Sequence, residues 1–175
     1  MEKSNYQKFK ALHNSEKPLL LPNAWDAGSA KLFEENGFAA IATSSSAVAG
    51  ALSYADGEQL SFDELLFVVE RICRRVSLPV SVDMEGGYSR DADEICEHLE
   101  RLFQLGVVGI NFEDSVINGQ RKLQDALLIT KTIEHIKSFC LNGKIDIFLN
   151  LRTDTYLLNV ENRFEQTLER IEIYE

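Results

Sequence analysis

A short apolar run followed by a helical pattern recurs five times along this chain, and that alternation constrains the fold more than any other feature of it. The runs begin at Leu19, Phe38, Pro79, Val107 and Ile145. They are rich in branched and aromatic residues and too short for buried helices, so they predict buried strands. Helical spacing follows each one. Asp26 predicts the N-cap of a helix through Leu32 and Phe33 that Gly37 ends, and Ser61 with Glu64 forms a capping box for a helix from Phe62 to Val76. Asp91 with Glu94 repeats the pattern for the helix carrying Ile95, Leu99, Leu102, Phe103 and Leu105, closed by Gly106. A fourth helix runs from about Gln124 to Leu141 and ends at Asn142 and Gly143, and a fifth starts near Glu161. Tyr6, Phe9, Leu12 and His13 predict one further helix over residues 4–16, before the first strand. Strands joined through helices pair in parallel, because a crossover of that length returns the chain in the same direction.

Each apolar run gives way to polar residues at its carboxyl end. These are Asn23 and Asp26, Thr43 to Ser46, Asp83 and Glu85, Glu113 and Asp114, and Arg152 and Asp154. An open doubly wound sheet binds ligand mainly at one switch point, whereas a barrel gathers residues from every strand end around one axis. The expected fold class is therefore α/β, a parallel (β/α)8 barrel of TIM type, with an open flavodoxin-like sheet as the weaker alternative. A closed barrel needs roughly 250 residues. The 175 residues here supply about five of its βα units, which predicts a single, incomplete barrel domain over residues 1–175.

The stretch LPVSVDMEGGY, Leu78 to Tyr88, concentrates the chemistry. Asp83 and Glu85 lie two residues apart at the end of a strand and so point the same way. Glu113 ends the next strand, and Asp56 lies on the loop from Gly50 to Gln59. Acids gathered on one rim repel and raise one another's pKa, so either a divalent cation or nearby basic groups must balance them. Magnesium is the first candidate; it accepts one or two carboxylates directly and leaves further acids to hold its waters. Taken singly, each acid is as readily a helix cap or a surface charge. Trp25 fits packing better than a pocket wall, and Asp114 and Asp154 fit caps of the helices that follow them. Gly86 and Gly87 suit either a tight turn or an anion nest, and Tyr54 and Tyr88 either rim packing or donation to substrate.

A net charge of -10 opposes polyanions, and the chain shows no basic patch, which excludes nucleic acid and anionic membrane as expected partners. There is no signal-like segment and no apolar run near the roughly 20 residues that cross a bilayer, so a cytoplasmic location is expected. Cys73, Cys96 and Cys140 are odd in number and widely spaced, which suits reduced packing cysteines. His13, His98 and His135 lack metal-ligand spacing.

The sequence resembles the isocitrate lyase/phosphoenolpyruvate mutase family, and within it the smaller phosphonomutase-like branch. The resemblance rests on LPNAWDAGSA (Leu21 to Ala30), AIATSSSAVAGALSYADGE (Ala40 to Glu58), SVDMEGGY (Ser81 to Tyr88), GVVGINFEDS (Gly106 to Ser115) and NLRTD (Asn150 to Asp154), in that order. It implies a magnesium-dependent barrel enzyme acting on a small 2-oxo acid or a carboxylated relative through an enolpyruvate-like intermediate, with a C–C or P–C bond cleaved or formed. By the resemblance Asp83 is the direct metal ligand, and Asp56, Glu85 and Glu113 hold metal-bound water. Ser44 and Ser45 bind the substrate carboxylate, and Arg152 pairs with the substrate's oxyanion or second carboxylate, so Arg152 and Glu113 carry the chemistry. The partners it implies are a small carboxylic acid and further copies of the chain in a homo-oligomer. The family's lyases place a cysteine and a histidine in a gating loop just after the position of Glu113. Here that segment reads DSVINGQRKLQD and has neither, which points away from a standard isocitrate or methylisocitrate lyase and leaves a decarboxylase or hydrolase as plausible as another lyase. The other reading is a fragment or pseudoenzyme that binds a metal or small acid, or assembles with a partner.

Overall fold

The computed structural model describes residues 3–175, Asn118 through its backbone alone. Helix α1 (Asn5–His13) precedes a parallel sheet built by β1 (Asn23–Ala24), α2 (Ala27–Glu35), β2 (Ile41–Thr43), α3 (Ser45–Ala51), α4 (Phe62–Cys73) and β3 (Val80–Asp83). The chain continues through α5 (Ala92–Gln104), β4 (Gly109–Glu113), a hairpin of β5 (Ser115–Asn118) and β6 (Gln120–Leu123), α6 (Ala126–Gly143), β7 (Phe148–Arg152) and α7 (Arg163–Tyr174).

The main sheet has the order β1-β2-β3-β4-β7, all parallel, so each new strand joins beside the last and the order never reverses. A doubly wound sheet needs a reversal and helices on both faces. Here α2 packs on α4, α4 on α5, α5 on α6 and α6 on α7, a single file along one face. The architecture is five successive βα units of an α/β barrel, and the flavodoxin-like alternative is excluded.

Residue alternation separates the two faces of this sheet. Val80, Val82, Ile110 and Phe112 are buried against the helices, with Leu149 and Leu151 packed on the same cluster. Their alternates Ser81, Asp83, Asn111, Asn150 and Arg152 line the concave side. The helices supply matching apolar stripes: α5 buries Ile95, Cys96, His98, Leu99 and Leu102, at the spacing of one helix face. At the amino ends of the strands, Phe9 of α1 is buried with Ala40 and Val108, and its ring meets Phe148 edge-on at 5.6 Å. A Cβ on Gly109 would lie 2.7 Å from Phe9, so this close approach of α1 to β4 requires glycine.

Several boundaries differ from the sequence expectation. The first strand, expected from Leu19, pairs only over Asn23–Ala24, because Pro18 and Pro22 lack the N–H a ladder needs, although the Pro22 carbonyl accepts from Ala42 at 3.0 Å. Residues 45–51, which run from the hydroxyls expected at the end of the second strand into the loop expected from Gly50, form α3, capped by Ser44 and anchored by buried Val48 and Ala49. Asn118 and Gly119, a dipeptide that by itself predicts a turn, sit at the tip of a two-stranded hairpin, with Gly119 at φ +75°. Helix α6 extends through Gly143, and the left-handed cap falls on Lys144. Asp91 accepts from the Asp93 and Glu94 amides, but the Glu94 carboxylate turns to the Ser89 hydroxyl, so that cap is one-sided. Among the described residues no helix is long and apolar enough to cross a membrane.

Helix α7 buries no residue of its own. Polar ties hold it instead: Arg170 bonds Asp114 at 3.0 Å and the Gln124 carbonyl at 2.7 Å, and the Tyr174 hydroxyl donates to Asp114 at 2.9 Å.

Candidate functional site

The concave face of the sheet lines a cavity of about 430 Å³, walled by Thr43, Ser44, Asp83, Asn111, Asn150 and Arg152, with Phe9 and His13 of α1 at its amino-end side. Strand register sets this wall. Asp83 pairs with Asn111, Asn111 with Asn150, and Glu113 with Arg152.

Asp83 is buried, and each of its oxygens has partners. Oδ2 accepts from the Ser45 amide at 3.0 Å and the Ser45 hydroxyl at 2.8 Å, while Oδ1 accepts from the Asn111 amide group at 3.3 Å. Asn150 donates to the Asn111 oxygen at 2.6 Å, which fixes which way the Asn111 amide faces. Ser45, expected at a substrate carboxylate, is therefore turned to Asp83. Ser44 lines the cavity while its hydroxyl accepts from the Ala47 amide as the cap of α3.

Asp56, Glu85 and Glu113 reach the same rim, and a cation from the chain itself already sits among them. Arg121, projecting from β6, bonds Glu113 and meets Glu85 at 3.1 Å, Asp56 at 3.6 Å and Asp154 at 3.5 Å. Arg152 bonds the other Glu113 oxygen at 2.7 Å and Asp154 at 2.8 Å. Of the two ways to balance clustered acids, basic groups are thus present. They balance the cluster in part: among the described residues the ion-pair partners of Asp56, Glu85, Glu113 and Asp154 are Arg121 and Arg152, two cations in a rim that also holds Asp83. The excess shows in the protonation energetics. Burial, with the charges of Asp154 and Asp83, outweighs the two guanidiniums and pushes the Glu113 carboxyl up to about 8. Burial and the neighbouring acids also raise Glu85, against the lowering effect of the Glu58 amide. For Asp154 burial is overcome by hydrogen bonds from Arg152 and Ser115, and its carboxyl lies below the usual range.

Asp83 presents carboxylate oxygen to the cavity wall, the ligand type a hard cation such as magnesium takes, and the surplus negative charge of the cluster leaves room for one. Among the described residues no three acid, histidine or cysteine side chains converge on one ion position. A cation there would rest on Asp83 and water.

The remaining candidates separate clearly. Glu85 and Tyr88 lie at positive φ of 47° and 59° on either side of the glycine pair, which forms a tight turn closed by a 2.8 Å bond from the Gly87 amide to the Met84 carbonyl. The Tyr88 hydroxyl donates to Glu85 at 3.4 Å, and its amide donates to Glu58 at 3.0 Å. Tyr54 points away and donates to Glu64, and Trp25 is exposed. Asp114 and Asp154, expected as helix caps, are neither: α6 is capped by Asp125 and α7 begins after Asn162. Asp114 binds Thr153, the Asp154 amide, Arg170 and Tyr174 and so anchors α7.

Sequence reading missed Asn111, Asn150 and Arg121. The two asparagines were detectable, since INFE and LNLR alternate apolar with polar and place them on the face of Asp83 and Arg152. Arg121 had no local signal, because only the hairpin folding back brings it to acids 36 and 65 positions earlier, Glu85 and Asp56.

A profile of the phosphoenolpyruvate phosphomutase family matches residues 9–175. An uncharacterized Mycobacterium tuberculosis protein is 34% identical over 162 residues, covering 93% of this chain and 58% of the relative. The 2-methylisocitrate lyase of Escherichia coli is 30% identical over 109 residues, 62% of this chain and 37% of that enzyme. The crystal structure of a provisionally named phosphonomutase from Burkholderia cenocepacia superposes with a TM-score of 0.90 at 34% identity, over 97% of this chain and 70% of that one. The chain spans 58% or less of these two curated relatives. With the match running through every strand end that builds the cavity, this chain belongs to the phosphoenolpyruvate phosphomutase family, within the isocitrate lyase/phosphoenolpyruvate mutase superfamily.

Proposed function

We propose that this chain supplies the metal- and carboxylate-binding rim of a magnesium-dependent enzyme that acts on a small 2-oxo acid, or a carboxylated relative, and makes or breaks a C–C or P–C bond through an enolpyruvate-like intermediate. One observation carries the reading: a buried carboxylate, Asp83, held rigidly in a cavity wall that also presents Arg152. Relatives bearing the names 2-methylisocitrate lyase and phosphoenolpyruvate phosphomutase support the reaction class.

Asp83 would hold the ion, and Ser45 and Asn111 fix the carboxylate that does so. Magnesium, when bound, supplies positive charge that stabilises an enolate oxygen. Arg152 presents its guanidinium to the cavity for a substrate carboxylate or oxyanion, and Glu113 and Asp154 hold that guanidinium in place. Glu113 is 1% exposed and meets the cavity through Arg152, so its part is to position the arginine. Ser44, at the end of β2, and Asn150, two residues before Arg152 on β7, line the same cavity and offer further hydrogen bonds to it. No thiol or imidazole lies in the segment after Glu113, which favours decarboxylation or hydrolysis of an oxaloacetate-like or phosphonopyruvate-like substrate over lyase chemistry that needs such a donor.

The test is magnesium binding by calorimetry together with magnesium-dependent release of pyruvate from oxaloacetate and phosphonopyruvate. Asp83→Ala is expected to lose both while melting cooperatively; metal affinity unchanged in that variant refutes the role of Asp83. A second reading, a chain that binds acid or metal without turnover, is favoured by the ion pairs of Arg121, which partly satisfy the acids already. Metal binding without pyruvate release from either substrate would select it.

A further inference from the structure

Three polar side chains on the concave face are bonded into a row across neighbouring strands. Asn150 of β7 donates to the Asn111 oxygen at 2.6 Å, and Asn111 of β4 donates to Oδ1 of Asp83, on β3, at 3.3 Å. Strand register brings this about: Asp83 pairs with Asn111 and Asn111 with Asn150, so the three stand abreast on strands about 4.8 Å apart.

The row has a direction, and Asp83 sets it. A carboxylate only accepts hydrogen bonds, so Asn111 turns its NH2 group to Asp83 and its carbonyl oxygen to β7, and Asn150 must then turn its own NH2 group to Asn111. One N–H of that group is used in this bond. The other has no partner among the described residues, and the side chain stands exposed in the cavity wall. Arg152 follows two residues later on the same face of β7, about 6.6 Å further along. An amide N–H and a guanidinium beside each other are both donors, and they fit one anionic group such as a carboxylate.

We propose that Asn150 contacts the substrate's carboxylate beside Arg152, and that Asn111 is a positioning residue that acts through Asn150, holding its amide in the orientation Asp83 dictates. This rests on the functional reading given above, in which a small acid occupies this cavity. Without Asn111 the Asn150 amide is free to turn, and a ligand must then order it on binding.

A double-mutant cycle on the 175-residue chain tests it, with sodium pyruvate titrated calorimetrically at saturating magnesium chloride. Asn150→Leu is expected to weaken pyruvate roughly 10-fold, the loss of one hydrogen bond to a charged group. Asn111→Leu is expected to weaken it roughly 3- to 10-fold through the freed amide. Because Asn111 acts through Asn150, the double variant should bind within about twofold of Asn150→Leu alone, whereas a purely structural role for Asn111 would add its full factor. Wild-type affinity in either single variant, or a double variant weakened by the product of the two, overturns the proposal and leaves the functional reading standing. No pyruvate binding by the wild type overturns that reading and this inference together. Should the Asn111 variants fail to fold, the wild type decides by NMR: pyruvate is expected to shift the side-chain amide signals of Asn150, and unmoved signals refute the contact.

Discussion

Replacing Gly87 by alanine tests whether the turn after β3 is built as described. Gly87 sits at φ +96°, where a Cβ is disfavoured whatever space surrounds it, and that Cβ would lie 2.8 Å from Ile95 Cγ1 and 3.1 Å from Phe112 Cε2. Ile95 is 3% and Phe112 1% exposed, so neither neighbour can swing away. Backbone strain of about 1–3 kcal/mol adds to about 1–3 kcal/mol for overpacking, offset by about 0.4–1 kcal/mol because alanine restricts the unfolded chain. The net cost is about 1–5.5 kcal/mol, a large part of the roughly 5–15 kcal/mol that stabilises a typical domain. With a mid-range cost of about 3 kcal/mol and a urea m-value of about 2 kcal/mol/M, the unfolding midpoint should fall by roughly 1.5 M at unchanged slope. Gly50→Ala is the control: it lies in α3 with nothing within 4 Å of the added Cβ, and should stabilise by about 0.5–1 kcal/mol. A midpoint for Gly87→Ala equal to wild type refutes the packing argument. It would also undercut the placement of Glu85 and Tyr88, whose backbones the same turn sets.

Arg170→Met removes one partner of a buried ion pair, a loss worth about 3–5 kcal/mol when the remaining charge is stranded. Because Asp114 keeps Thr153, Tyr174 and the Asp154 amide, the low end is expected, with faster hydrogen exchange confined to residues 163–174; unchanged exchange there refutes the polar anchoring of α7. Phe9→Ala empties the contact between α1 and the sheet and should cost about 3–5 kcal/mol in thermal unfolding. A melt unshifted by that change means α1 does not close the amino end of the sheet. Glu34 is held down to about 2, first by Lys31 and then by the Ser77 amide and hydroxyl. Since its folded pKa lies below the ordinary 4.5, its stabilisation is present above that pH and is lost as pH falls toward 2. The melting difference between wild type and Glu34→Gln should therefore vanish across that interval; a constant difference refutes the assignment.

The sequence alone determined the layered plan, because hydrophobic period and helix caps are local. Alternating runs and caps such as Ser61 with Glu64 specify strands and helices in order, and the parallel sheet follows from the connection lengths. It also placed Asp83, Glu113 and Arg152 at strand ends. What it could not decide was which charge answers which. Ser45 turns to Asp83 rather than to the cavity, Asp114 leaves the site to anchor α7, and Arg121 enters from a hairpin whose Asn118–Gly119 turn is legible in the sequence but whose landing place among the acids is not. Electrostatic balance depends on distances between groups far apart in the chain, and those distances exist only after the sheet, the turn at Gly87 and the hairpin have closed around one another.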